Sequence, residues 1–222
     1  MRRALLAAVF ALGLAPSAHA QEIPLDRVVV RFIAPETGGM RSPRFIFERV
    51  LAFEARLEAL ADPDRAAGSN EPYRERHVRA AMERHISETL LASVRIDPEP
   101  TAKELSRQTE AARLILYQQC GGALAVEQAA IAEGMDDREI LRILRRRARA
   151  SLYLDRMVAP MLAPSRAELQ SLHRTTQTPF RNRPFDEIEP ALRRWYVGRR
   201  LAQALENFYQ NARSRLEVKI VH

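Results

Sequence analysis

Proline, glycine and capping residues cut this chain into pieces of helix length, and that punctuation limits what it can fold into more than any other feature. The breaks fall at Pro35 with Gly38-Gly39, Asp62-Pro63, Ala67-Gly68-Ser69-Asn70, Pro98 with Pro100, Gly121-Gly122, Gly134, and Pro160 with Pro164. Proline cannot donate to a helix, and glycine serves where the backbone must turn. The pieces between these breaks read as helices. Ile46, Val50, Phe53, Leu57 and Leu60 recur at steps of four and three, so they share one face of a helix over 43–61. Ser42 reads as its N-cap and Pro43 as its first helical residue.

A second helix over 71–94 presents Val78, Met82, Ile86 and Leu90. Thr101-Ala102-Lys103-Glu104 is a capping box, and it opens a third helix over 102–119 with Leu105, Ala112, Ile115 and Leu116 as its apolar positions. A short helix over 124–133 runs to Gly134, the expected left-handed stop. Asp136 or Asp137 begins a long helix over 137–161, where Ile140, Leu141, Leu144, Ala148, Leu152 and Leu154 alternate with arginines. Ser165-Arg166-Ala167-Glu168, a second capping box, opens a helix over 165–177. The last helix, over 185–215, carries Ile188, Leu192, Trp195, Ala202, Leu205 and Tyr209, with Pro190 in its opening turns as a source of kinking.

Two segments read instead as strands: the β-branched run over 27–33 and the alternating run over 217–221. An isolated strand leaves its backbone groups unpaired, so each is the evident partner of the other. The expectation is a mainly α fold, one helical domain over 21–222 beside a two-stranded ribbon made by its terminal strands. A strand built from both ends of a chain also leaves a domain-swapped homodimer open.

The N-terminus follows a different logic. Arg2 and Arg3 precede an apolar run from Ala4 to Leu14, then Pro16 and Ala18-His19-Ala20. A basic start, an apolar middle and small residues at the cleavage point make residues 1–20 a cleavable signal peptide, with the mature chain beginning at Gln21. The run is about 11 residues against the roughly 20 a transmembrane helix needs, so no transmembrane anchor is expected. Export places the mature protein in the periplasm.

Cys120 is the only cysteine, so no intramolecular disulfide is available and the core must hold without one. Its thiol is either buried and inert or free to react. Without Arg2 and Arg3 the net charge falls from +7 to about +5. Lys103 and Lys219 are the only lysines among 35 basic residues.

Catalytic patterns are missing where they would be looked for. His77 and His85 stand eight positions apart with no acidic ligand at metal spacing between them, and His173 and His222 lie far off. There is no Gly-x-Ser-x-Gly and no phosphate-cradling glycine loop. Acidic pairs such as Asp136-Asp137 and Glu187 with Glu189 sit at helix starts, where they complement the dipole. No cofactor, metal or catalytic residue is assigned, and the chain is not read as an enzyme.

Two groups of side chains carry the binding expectations. Arg142, Arg145, Arg146, Arg149 and Arg156, with Arg147 beside them, line the long helix as a solvated face or as a site for an anionic partner. Export makes nucleic acid the least suitable such partner. Tyr153, Met157, Met161 and Leu162 end that helix as core or as an adaptable apolar rim for extended chains, since methionine adapts to many shapes. Trp195 and Tyr196 divide between core and groove in the same way.

This order of elements resembles the N-terminal chaperone domain of the SurA-type periplasmic foldases. Asp26-Arg27-Val28-Val29 is similar to that family's opening strand. Cys120-Gly121-Gly122-Ala123-Leu124-Ala125-Val126-Glu127-Gln128, running into Ala132-Glu133-Gly134-Met135-Asp136-Asp137, resembles its passage into a long basic helix. Ala163-Pro164-Ser165-Arg166-Ala167-Glu168-Leu169 resembles the helix leading toward an isomerase domain. Arg183-Pro184-Phe185-Asp186-Glu187-Ile188 and Ala212-Arg213-Ser214-Arg215-Leu216-Glu217-Val218-Lys219-Ile220 resemble the closing helix and strand. Ala34 to Arg41 departs from the family, lacking Asn or Asp followed by Ile-Thr. Between Leu162 and Pro184 there are only about 20 residues, too few for a parvulin domain, so prolyl isomerase activity is not implied.

The resemblance implies an ATP-independent periplasmic chaperone for unfolded or partly folded exported clients, outer-membrane proteins among them. Its rival is a helical structural adaptor that docks one envelope or secretion partner through the arginine-rich face.

Overall fold

The computed structural model describes residues 26–34, 40–64, 72–213 and 217–221. The expected signal peptide and its cleavage point lie outside the described residues, as do Gly38-Gly39 and the break at 67–70. Among the described residues three strands and seven α-helices follow one another: β1 (Val28–Ala34), β2 (Met40–Phe47), α1 (Glu48–Ala61), α2 (Glu75–Ser93), α3 (Ala102–Gln119), α4 (Ala123–Ala132), α5 (Asp137–Tyr153), α6 (Arg166–Thr175), α7 (Phe185–Arg213) and β3 (Glu217–Ile220). None of these helices is long and apolar enough to cross a membrane.

The terminal strands do pair. Val30 stands opposite Ile220 and Phe32 opposite Val218, antiparallel. The ribbon, however, has a third member, and its order is β2-β1-β3. Residues 43–47, expected as the first turn of a helix, are strand. Ser42 and Pro43 therefore do not cap a helix; Pro43 sits on an edge strand, in the stretch where the β1–β2 register slips between Phe32/Arg44 and Ala34/Met40. A residue without an N–H fits an edge, where no second ladder needs one.

Chain passes from β2 into α1 with no break, Phe47 being extended and without a capping side chain. The orphan N–H groups of α1 are served from 20 or more residues upstream. Glu48 N–H donates to the Arg27 carbonyl at 2.8 Å, and Arg49 N–H donates to Asp26 Oδ1 at 3.2 Å. By contrast α3, α5 and α6 start at Thr101, Asp136 and Ser165 with the reciprocal bonds of a capping box, two of them as the sequence reading has it.

Three clusters of buried side chains hold the elements. Phe53 and Leu57 of α1 meet Leu116 of α3 and Cys120 at its C-cap, Val126 and Ala129 of α4, and Ile143 and Leu144 of α5. One face of the sheet, Val30, Phe32, Ala34 and Ile46, packs on Ile86 and Leu90 of α2, with Phe208 of α7 reaching it. Leu169 of α6 and Ile188 and Leu192 of α7 make a third, with Phe180, Phe185, Trp195 and Tyr196 around them. Cys120 is buried, its thiol donating to the Leu57 carbonyl at 3.7 Å, and burial pushes its pKa up.

The long basic helix changes character at its end. It is α-helical only to Tyr153; Leu154–Val158 form a π turn and Ala159–Leu162 a 3₁₀ turn. Pro160 has no N–H to offer, and its ring crowds the carbonyl four residues earlier, which accounts for the slackening. The π turn keeps the chain paired, Ala159 N–H bonding the Leu154 carbonyl. Pro190, the sixth residue of α7, is accommodated within a helix that runs on to Arg213.

Candidate binding groove

An open apolar groove of about 390 Å³ lies between α2, α3 and α5. Leu91 of α2, Ala112, Ile115 and Leu116 of α3, and Ala150 and Leu154 at the end of α5 supply its apolar surface, together with Leu205 of α7. Beyond Leu205 a second hollow of about 200 Å³ continues it, shared through Leu91, Leu154 and Leu205 and extended by Val94, Tyr153, Val158, Leu201 and Phe208. Leu205 of α7 thus borders both hollows. Volumes of this order suit a few side chains of a bound segment.

α3 gives the groove its rim. Leu114-Ile115-Leu116 puts three apolar residues in a row, and one helix face cannot bury them all. Leu116 goes to the core, whereas Leu114 is 60 % exposed and Ile115 53 % exposed. Polar groups also line it: Gln108 donates to Ser151 Oγ at 3.0 Å, and Arg84 pairs with Glu58 at 3.0 Å. Burial pushes the Glu58 carboxyl up, with Arg84 pulling the other way.

Of the apolar residues singled out in the sequence, Tyr153 lines the second hollow. Met157 and Leu162 are half-buried outside it, and Met161 is 76 % exposed on the 3₁₀ turn. Trp195 and Tyr196 pack on the α6–α7 cluster instead of the groove. Arg199 stacks over the Trp195 ring at 5.6 Å and Arg200 over the Tyr196 ring at 5.7 Å. The groove residues Leu91, Ile115, Leu154, Leu205 and Phe208 were not singled out as binding residues. Ile115-Leu116 is the readable signal for one wall; Leu205 and Phe208 depend on where α7 lies.

The structure does not gather the arginines on one solvent-facing stripe. Arg142 and Arg145 are exposed. Arg146 turns inward to Glu54 and to Glu88 (3.0 Å), and Arg147 Nε lies 3.2 Å from the other Glu88 oxygen. Arg149 donates to the Ala92 carbonyl at 2.7 Å and to Glu99 at 2.6 Å. Arg156 reaches the Pro98 carbonyl at 3.1 Å and Glu104 at 2.5 Å. The last two clamp the α2–α3 connection onto α5. Arg149 holds the Glu99 carboxyl below the ordinary range, and backbone and hydroxyl bonds from Thr101 do the same for Glu104.

At the centre of this ionic network Glu54 is only 3 % exposed. Burial pushes its carboxyl up, but Arg146, His85 and Arg147 together outweigh that and hold it at about 2. The two helical histidines each serve a carboxylate of the α1 region: His85 Nδ1 meets Glu54 at 2.7 Å, and His77 Nε2 meets Asp62 at 2.9 Å. His77 Nδ1 accepts the Arg74 N–H at 2.9 Å, and its Nε2 lies between Asp62 and Arg76 Nε, the latter at 3.2 Å.

No family model, curated protein or solved structure matches the chain.

Proposed function

We propose that this protein is an ATP-independent periplasmic chaperone that holds unfolded or partly folded exported polypeptides, outer-membrane proteins among them. The observation that carries the reading is the open apolar groove between α2, α3 and α5, to which α7 adds Leu205 and along which Ile115 is left 53 % exposed. A monomeric surface has little reason to keep large apolar side chains in water beside a groove unless something covers them. Client side chains enter reversibly, water leaves the apolar walls, and no covalent step is involved. Leucine, isoleucine and phenylalanine walls discriminate by size far more than by identity, which suits many clients. The resemblance to the SurA-type chaperone domain and the signal-peptide pattern at residues 1–20 support the same assignment.

The test is suppression of aggregation of a chemically unfolded outer-membrane protein by the mature chain 21–222, at low and high salt, without nucleotide. Suppression at up to equimolar chaperone, little changed by salt, is expected, because apolar burial is not screened. A folded helical protein that suppresses nothing removes the chaperone reading. Binding confined to one partner and abolished by salt would instead favour the adaptor, acting through Arg142 and Arg145, which remain exposed. N-terminal sequencing of protein recovered from the periplasm should begin at Gln21; retention of the chain in the cytoplasmic fraction would overturn the export assignment.

A further inference from the structure

We infer that the free edge of β3 joins two copies of this chain, antiparallel, with Val218 opposite the partner's Val218 and Glu217 opposite the partner's Lys219. Among the described residues β3 is an outer strand of the sheet, paired with β1 alone. All four of its residues are exposed, Ile220 by 64 %.

The backbone selects which residues can pair across that edge. Val221 N–H donates to the Val29 carbonyl at 3.0 Å, and the register of β1 with β3 makes these two residues opposite. In an antiparallel ladder, residues alternate between pointing their N–H and C=O at the partner and pointing them away. Lys219 and Glu217 therefore point inward with Val221, while Val218 and Ile220 present their N–H and C=O at the open edge. A second strand must meet outward residue with outward residue.

Self-pairing of two β3 strands has few registers of that kind. One sets Val218 opposite the partner's Val218, which puts Glu217 opposite the partner's Lys219 twice, once on each side of the axis. The next sets Val218 opposite the partner's Ile220 and forces Lys219 against the partner's Lys219. A further slip sets Ile220 opposite the partner's Ile220 and Lys219 opposite the partner's Val221, with no opposite charges aligned. Opposed like charges weaken a strand pair and opposite charges strengthen it, so charge picks the first register.

The same register uses the side chains well. Glu217 and Lys219 lie on the outer face with Arg31 and Phe45, whereas Val218 and Ile220 lie on the inner face with Phe32 and Val30. Pairing sets the exposed Val218 of one protomer against that of its partner, with Ile220 flanking it, and joins the two sheets into one. The axis is a two-fold, as identical edges require. With so few residue pairs the dimer is weak and concentration-dependent.

Sedimentation velocity of the mature chain 21–222 over a concentration series to about 1 mM is the test. A monomer–dimer equilibrium is expected. Glu217→Lys alone and Lys219→Glu alone should each weaken it about tenfold or more, because every cross-strand ion pair becomes a like-charge pair. Mixing the two variants in equal amounts should restore association as a mixed dimer. Val218→Pro should abolish it while leaving far-UV circular dichroism unchanged, since the N–H it removes points away from β1. A chain that stays monomeric throughout overturns the inference, as does a dimer indifferent to both charge reversals. Capture of an extended client strand along this edge without self-association overturns it too.

Discussion

Inside the helical core, His85 Nδ1 and Glu54 Oε2 stand 2.7 Å apart. The carboxylate is ionised at neutral pH, held at about 2 by Arg146 and His85 against the upward push of burial. An ionised carboxylate can only accept, so Nδ1 carries the proton and donates it. His85 Nε2 faces Arg146 Nη1, 3.5 Å away. Two helices and a third are tied through one buried acid: α1 supplies Glu54, α2 supplies His85 and α5 supplies Arg146.

The depressed carboxyl fixes how stability should vary with acid. Between the ordinary value of 4.5 and about 2 the unfolded chain binds a proton at Glu54 that the folded chain does not. Folding stability from this group is therefore complete above about pH 4.5 and is lost as pH falls through the folded value, in all about 3 kcal/mol. Urea unfolding followed by circular dichroism at pH 7, 4 and 3 should show the decline. Glu54→Gln should remove this group's share of the pH slope; an unchanged slope would mean the carboxylate is not held as described.

Glu54→Gln should also be costly at pH 7, by about 3–5 kcal/mol, because removing one member of a buried ion pair strands the other. Arg146 would keep Glu88 but lose its most buried partner. Replacing Glu54, His85 and Arg146 together by apolar residues of similar size should recover most of that loss. If the triple variant is no more stable than Glu54→Gln, the penalty lies in packing and not in uncompensated charge.

Groove and fold should separate at Ile115. Its side chain is more than half exposed at the rim, so Ile115→Asp should change folding stability by under about 1 kcal/mol. Client binding should fall about tenfold or more, the loss expected when a buried isoleucine contact is replaced by a charge. Trp195→Ala is the converse control. Trp195 packs on the α6–α7 cluster, so that substitution should lower stability and leave client affinity of the folded fraction nearly unchanged. Light scattering of an aggregating outer-membrane protein, beside urea titrations, reads both.

Why the helices were legible and the site was not follows from where the information lies. Thr101 with Glu104 and Ser165 with Glu168 satisfy one another within four residues, so the sequence alone displays those helix starts. The start of α1 is satisfied by Arg27 and Asp26, more than 20 residues away, and Ser42-Pro43 imitated a local cap that the chain does not use. Ile46 matched a helical step yet is buried from β2, since one residue can satisfy both a period of four and a strand's alternation. The arginines showed a helical stripe, but not that Glu54, Glu88, Glu99 and Glu104 would meet them from other elements. The groove depends on Leu205 and Phe208 of α7 coming beside Leu91 of α2 and on the π turn at Leu154, which are facts of tertiary placement.

Asp26 offers the sharpest contrast between remote and local capping. Its Oδ1 accepts the Arg49 N–H at the start of α1, and its Oδ2 takes the Arg49 Nε at 3.2 Å. The same guanidinium donates to the Gly134 carbonyl at 2.6 Å and to Glu139 at 3.0 Å, so Arg49 joins the foot of the sheet to the α4–α5 turn. Asp26→Ala leaves an orphan helix N–H and releases one of the three anchors on Arg49. A loss of about 1–2 kcal/mol is expected, against about 1 kcal/mol for Thr101→Ala at the exposed start of α3. Amide hydrogen exchange distinguishes their reach. Thr101→Ala should speed exchange only in the first turn of α3, whereas Asp26→Ala should speed it both in the first turn of α1 and around Gly134. Exchange confined to α1 would show that Arg49 holds the α4–α5 turn without help from Asp26.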